Sequence, residues 1–486
     1  RDRDVTGVQT CALPISIMEQ KKNYINGEWI APQSNAYIDV ENPVTQEMIA
    51  KIPKSDERDV DAAVAGAYAA FPAWAATEPE KRLALLKEAI QWMMDRSDDM
   101  IRTLREELGA PQGFAKRVHV DGNLKEAMEQ MELAGEIEYV REEDGYEVWM
   151  EPYGVVACLT PWNYPLGQIT SKVIPALAMG NTVVLKPSSQ TPLTAYWFAE
   201  ALIAAGIPKG VFQMVCGSGS DVGDPLAGHE KVDMVTFTGS TKGGAEIARR
   251  ASEGVKQILL ELGGKSPALV LEGADLEIAS KRVLDTIINN SGQSCSALTR
   301  MIAPKSMKEE VERALLDRLQ TYKVGDPTQE EVDAGPVQSK KQYDKVKGFI
   351  EKGVEAGANL LTGEIPRGDA GYIIQPVIFT DVDNQMEIAQ EEIFGPVLSV
   401  LYYEDEEEGV AIANDTKYGL ASAVFGPEEK AKAAARKIRA GNATINDGKS
   451  PGNAPFGGYK HSGYGREGGK YGLLEFLQTK AIFRQE

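Results

Sequence analysis

Residues 155–163 read VVACLTPWN, 182–189 TVVLKPSS, 234–240 MVTFTGS and 258–264 ILLELGG. Each is a short apolar run that ends in polar residues or glycine. Between them, Gln168–Ala178, Thr191–Ala205 and Lys242–Ala251 carry helical spacing, and Val211–Val215 supplies one more strand before a Gly/Ser loop. Uninterrupted apolar strands alternating with helices predict a parallel sheet covered on both faces. Such sheets bind ligands beyond the carboxyl ends of their strands. Those ends are Thr160-Pro161-Trp162-Asn163, Lys186-Pro187-Ser188-Ser189, Phe237-Thr238-Gly239-Ser240 and Glu261-Leu262-Gly263-Gly264.

Upstream, Asn23–Lys51 reads as short strands with turns. Arg58–Tyr68 and Glu80–Met94 follow as amphipathic helices, and a Glu-rich stretch covers Lys125–Glu147. Downstream, a second α/β series begins near Pro267, with strands at Ala268–Leu271, Met301–Ala303, Tyr372–Phe379 and Leu398–Tyr403. Asp275 is placed to cap a helix running to Asn290, and further helices fall at Lys308–Lys323, Lys341–Glu355 and Glu428–Ala440. Gly457–Gly469 is glycine-rich, and Ala481–Phe483 reads as a last strand.

The 486 residues are 43% hydrophobic and 26% charged, which suits two or three soluble domains. With 52 Lys+Arg against 72 Asp+Glu, the net charge of −20 argues against nucleic acid as a partner. No apolar run approaches a membrane span. Four cysteines exclude a disulfide scaffold and suit a reducing, cytoplasmic compartment. Three histidines and no Cys-x-x-Cys or His-x-x-x-His pair leave no metal site to expect.

Arg1–Ser16 fits nothing downstream and is not a signal peptide. Val5–Ile15 back-translates codon for codon into a common sequencing-library adapter. Residues 1–17 are therefore read as an artefactual extension, with Met18 as the expected start; a disordered natural terminus is the alternative.

Among chemistry-bearing residues, Gly239-Ser240 opens a helix, where free N–H groups attract an anion; a plain strand-to-helix turn has the same look. Gly217, Gly219 and Gly223 are spaced one residue too wide for a strict G-x-G-x-x-G. Gly263-Gly264-Lys265-Ser266 lacks the first glycine of a P-loop, since Leu259 stands there. Cys295 follows an amphipathic helix within Asn290-Ser-Gly-Gln-Ser-Cys, among small polar residues, so a reactive thiol and a structural one both remain open. Cys158 and Cys216 lie in or at strands and read as core.

Together these pieces resemble the NAD(P)-dependent aldehyde dehydrogenase superfamily. The matching motifs are TPWNYP (160–165), LKPSSQTP (185–192), FTGS (237–240), LELGGKSP (260–267), GQSC (292–295), EEIFGP (391–396) and PFGGYKHSGYGRE (455–467), in the family's order. The resemblance implies an α/β fold with a Rossmann-type coenzyme domain (18–133 and 153–262) and an α/β catalytic domain (263–462). A small β oligomerisation element (134–152 and 463–486) would complete it. It implies Cys295 as nucleophile, Asn163 as oxyanion donor, Glu261 as the base that activates water, and Lys172 and Glu467 as a proton relay; for the last two an ordinary ion pair is the alternative. It places NAD or NADP on Thr160, Trp162, Lys186, Ser189, Gly217, Phe237, Gly239, Ser240, Leu262, Glu392 and Phe394. Ser189 stands where NAD-preferring members often carry an acid, which implies that NADP is accepted. Tyr164, Gly167, Gln168, Ser171, Ser294 and Ser296 would line the path of a small-molecule aldehyde. A homodimer or homotetramer is expected. A CoA-acylating relative and a non-catalytic protein on the same fold are the alternatives.

Overall fold

The computed structural model describes residues 20–368 and 371–483; the proposed extension and Met18 lie outside them. The first sheet has eight strands in the order Gly463–Tyr464, Gln257–Glu261, Met234–Thr238, Val155–Leu159, Thr182–Lys186, Phe212–Met214, Asn23–Ile25, Glu28–Ile30. The five from Gln257–Glu261 to Phe212–Met214 are parallel. Antiparallel pairs close both edges.

Val155–Leu159 shows why these strands carry no polar alternation. Val156 and Cys158 enter a core with Leu166, Val173 and Phe198, whereas Val155, Ala157 and Leu159 enter another with Val60, Val64 and Leu226. Both faces of the strand are thus out of water. From this strand the chain winds outward through Thr182–Lys186 to Phe212–Met214, then returns to the other side at Met234–Thr238. The order reverses between Val155–Leu159 and Met234–Thr238, and a crevice opens at such a reversal.

The second sheet runs Asn359–Thr362, Val377–Thr380, Val397–Tyr403, Arg300–Pro304, Pro267–Val270, Ala421–Phe425, Asn442–Ile445. It is parallel apart from Asn359–Thr362. Leu269 and Ile302 face one core, Ala268, Val270 and Met301 the other.

Two expectations shift. The strand expected over Tyr372–Phe379 begins only at Val377: Tyr372 is buried in a loop whose carbonyl accepts from Val337 N at 3.0 Å. The tail from Gly463 does not form a single peripheral element. Gly463–Tyr464 pairs with Gln257–Glu261, and Leu473 and Phe476 are buried in the first core. The separate three-stranded sheet consists of Val140–Glu143, Tyr146–Pro152 and Leu477–Phe483, all antiparallel, with Val140, Trp149 and Phe483 exposed.

Candidate active site

Cys295 owes its place to a strained loop. The helix Leu276–Ile288 starts where the Asp275 side chain accepts from Glu277 N at 2.9 Å and Ile278 N at 3.1 Å. Beyond its end Asn290, Ser291 and Gly292 take φ of 52°, 56° and 73°. Left-handed conformations cost about 1–3 kcal/mol each in non-glycine residues and persist only where the surroundings impose them. Here Asn290 Nδ2 donates to Asn163 O at 2.8 Å and to Gln293 O at 3.2 Å. Gln293 Nε2 returns a bond to Asn290 O at 2.8 Å, and its Oε1 accepts from Gln338 N at 2.8 Å. Ser291 Oγ donates to Gly335 O at 2.9 Å. A side chain at Gly292 would overlap the Gly395 carbonyl.

The second side of the site comes from the first sheet. The turn after Val155–Leu159 buries Asn163, whose Nδ2 donates to Gln293 O at 3.1 Å. One N–H of this amide is spent on that bond; the geometry of a primary amide leaves a second. Asn163 and Cys295 line one cavity of about 150 Å³ with Trp162, Thr238, Gly239, Ser240, Leu262, Gly263, Glu392 and Phe394. Trp162 and Phe394 meet edge to face, centroids 5.4 Å apart. Glu392 Oε1 accepts from Gly264 N at 3.1 Å. Gln342 and Lys345, on the helix Lys340–Glu355, close the wall.

Glu261 sits behind this cavity at the end of its strand. Its carboxylate is buried, and neither oxygen has a hydrogen-bond partner among the described residues. Burial first, then the nearby Glu467 charge, hold its pKa well above the ordinary glutamate value, while Lys172 works the other way. Lys172 Nζ pairs with Glu467 Oε1 at 2.5 Å and donates to Gln168 Oε1 at 3.1 Å. The Cys295 thiol is pushed up to about 12, chiefly by burial and then by Glu392 and Glu261. The reactive thiolate is therefore disfavoured in the protein alone.

Of the coenzyme residues expected from the sequence, Trp162, Gly239, Ser240, Leu262, Glu392 and Phe394 line the cavity. Thr160, Lys186, Ser189, Gly217 and Phe237 lie on the same strand ends outside it. Lys186 is enclosed: its Nζ donates to Pro187 O at 3.0 Å, and burial lowers its pKa to about 8. Ser240 caps the helix Thr241–Ser252 by accepting from Gly243 N at 3.1 Å. The Thr238 hydroxyl is buried without a partner among the described residues, and the Glu392 carboxylate lines the cavity. A crevice at the strand-order reversal, an apolar ring pair, a helix N-terminus and an acceptor carboxylate fit a nicotinamide dinucleotide.

Residues 29–482 match the model of the aldehyde dehydrogenase family. The chain belongs to that family. A putative aldehyde dehydrogenase of Staphylococcus aureus (strain MSSA476) is 43% identical over 465 residues, which are 95% of this chain and 98% of the relative. An aldehyde dehydrogenase C mutant of Pseudomonas syringae, solved with NAD+ and octanal, superposes with a TM-score of 0.92 at 42% identity, over 95% of this chain and 96% of that one. An aldehyde dehydrogenase of Mycobacterium tuberculosis, solved with NAD+, gives 0.93 at 40% identity, over 96% and 99%. The protein is thus an aldehyde dehydrogenase, an oxidoreductase that converts aldehydes to carboxylic acids with a nicotinamide coenzyme. No helix among its described residues is long and apolar enough to cross a membrane, and no cluster there is suited to a metal ion.

Sequence reading missed part of this aldehyde dehydrogenase's site. Gln342 and Lys345 face the cavity from an ordinary amphipathic helix, with no local signal. Gln293, within GQSC, was visible as a neighbour of Cys295 but not as its anchor. The space beside Gly167, expected to line the aldehyde path, is filled: a Cβ there would stand 2.7 Å from Asn123 Oδ1. Tyr164 stacks on buried His119, centroids 5.0 Å apart.

Proposed function

We propose that Cys295 is the nucleophile, Asn163 the oxyanion donor and Glu261 the base that activates water. The observation that carries this reading is the convergence of Cys295 and Asn163 on one cavity with Glu261 buried behind it. The Cys295 thiol releases its proton to solvent, and the thiolate attacks the aldehyde carbon as the carbonyl pair moves onto oxygen, giving the thiohemiacetal anion. The free N–H of Asn163 and the Cys295 backbone N–H bind the oxygen as it gains charge, a contribution of about 3–4 kcal/mol in comparable sites. A bound nicotinamide coenzyme would supply the acceptor for the hydride on that carbon, and a thioester on Cys295 would remain. Glu392 and the Trp162–Phe394 pair would hold its nicotinamide end; Thr160, Lys186, Ser189, Gly217, Phe237, Gly239, Ser240 and Leu262 would hold the remainder.

Glu261 then takes a proton from water, whose oxygen attacks the thioester carbon as the sulfur leaves. Lys172 and Glu467 stand ready to pass that proton on. Ser189 carries no charge that would repel a 2′-phosphate, so NADP is accepted beside NAD. The exposed apolar residues of the three-stranded sheet support a homodimer or homotetramer, and three free cysteines with no disulfide among the described residues support a reducing, cytoplasmic setting.

The test is coenzyme reduction followed at 340 nm with propanal, octanal and benzaldehyde, using NAD+ and NADP+. Cys295→Ala is expected to abolish turnover. Glu261→Gln is expected to keep a burst of one reduced coenzyme per site and lose about a hundredfold or more in steady-state rate. Turnover that requires added CoA would move the enzyme to the acylating class.

A further inference from the structure

We propose that Gly457 is a positioning residue for Glu261: the absence of a side chain there forms the seat of the Glu261 carboxylate, and so governs hydrolysis of the thioester but not its formation. The proposal rests on the reading of Glu261 as the base for water. A Cβ built on Gly457 would stand 2.6 Å from Glu261 Oε1, 2.7 Å from Gly465 O and 2.9 Å from Arg466 Cδ. Real Cβ atoms do not approach so closely, so something must shift.

The backbone around Gly457 is poorly placed to be what shifts. Phe456 N donates to Glu467 O at 2.7 Å, and Glu467 N returns to Phe456 O at 2.8 Å. Asn442 Nδ2 holds Pro455 O at 2.9 Å, and Gly457 N donates to Asn442 Oδ1 at 3.4 Å. A side chain on Gly441 would itself overlap Gly457 O, so that strand lies in direct contact. The Glu261 carboxylate, by contrast, has no hydrogen bond to a protein group among the described residues to lose. Packed interiors yield where restraint is weakest, so the carboxylate, the free end of a side chain, moves first and furthest, while Gly465 O, held by Arg466 Nη1 at 2.6 Å, gives way by less.

The same two-residue bridge ties the seat to the proton path. Phe456 is bonded to the backbone of Glu467, whose carboxylate pairs with Lys172. Gly457 therefore sets Glu261 beside the pair that receives the proton. When water attacks, its oxygen bonds to the thioester carbon, the C–S pair returns to sulfur, and the proton goes to Glu261. A carboxylate pushed from its seat loses that register with the water and with Lys172–Glu467. Hydride loss uses neither, and attack by Cys295 feels Glu261 only through its charge, which a displaced carboxylate keeps.

Rapid mixing with NAD+ and the best of propanal, octanal and benzaldehyde tests this. Gly457→Ala is expected to give a full burst of one reduced coenzyme per site at the wild-type rate, with unchanged coenzyme KM and a steady-state kcat lower by about tenfold or more. A folded Gly457→Ala enzyme with wild-type or faster kcat overturns the proposal, as does a burst that falls as much as kcat. Wild-type turnover by Glu261→Gln would instead remove the base reading itself. Gly457→Ala also strains φ of +156° and risks misfolding, so the pair Gly457→Ala/Glu261→Asp, with a shorter acid, is measured alongside. Folding of the double variant where the single one fails supports the seat. Failure of both assigns the glycine to backbone strain alone and sinks it.

Discussion

The two halves of the catalytic cavity are built by opposite means. Asn163, Gly239 and Leu262 arrive on ordinary turns at the ends of parallel strands, delivered by topology. Cys295 arrives on a run of three left-handed residues, held by the crossed amides of Asn290 and Gln293. The first half places groups through a rigid sheet that needs no special backbone. The second stores strain and depends on its neighbours, Asn163 among them. Cys295 and Asn163 are thus joined by one amide network, so damage to the loop reaches both.

The sharpest break of this contrast is between two glycines. Gly292→Ala would set a side chain at φ 73° and against Gly395 O. We expect a stability loss of about 2–4 kcal/mol by chemical denaturation and near-complete loss of activity. Gly239→Ala, on the regular half, meets the half-buried Phe237 ring and has no positive φ. It should cost less than about 1 kcal/mol, because an aromatic ring can move where a carbonyl in a packed loop cannot. Equal losses would break the comparison.

Next in size is Asn163→Ala, expected to lower kcat about a hundredfold in the steady-state assay, with the melting temperature changed little. A large fall in stability would show that its bond to Gln293 O matters more than oxyanion binding. Smaller again, Ser189→Glu should shift the ratio of kcat/KM for NAD+ over NADP+ by about tenfold or more toward NAD+, since the new carboxylate repels a 2′-phosphate. No shift would mean that Ser189 lies off the coenzyme's path.

The smallest effects concern pH. Alkylation of Cys295 by iodoacetamide in the coenzyme-free enzyme, read on its peptide by mass spectrometry, should rise about tenfold per pH unit between 7 and 9 without a plateau, because only the thiolate reacts and burial keeps the thiol protonated. A plateau near neutrality would mean a preformed thiolate. Glu261 must be ionised to accept a proton, and its pKa is raised, so kcat should fall with acid through a pH well above the usual glutamate range.

The sequence by itself determined the alternation of strands and helices, since a strand buried on both faces must be apolar throughout, and it marked Asn163 and Glu261 through motifs at predictable strand ends and Cys295 through a motif just after a predicted helix. Local pattern carries that information because each signal lies within a few residues. What only the tertiary structure decided joins distant segments. The pairing of Gly463–Tyr464 with Gln257–Glu261 moved part of the tail from the peripheral sheet into the first one. Asn123 filled the gap beside Gly167, and Lys186 became enclosed. Gln342 and Lys345 entered the cavity from a helix whose sequence shows only an amphipathic face. Burial, steric fit and the charge felt by a carboxylate are sums over neighbours from the whole chain, and a residue's own surroundings in sequence do not contain them.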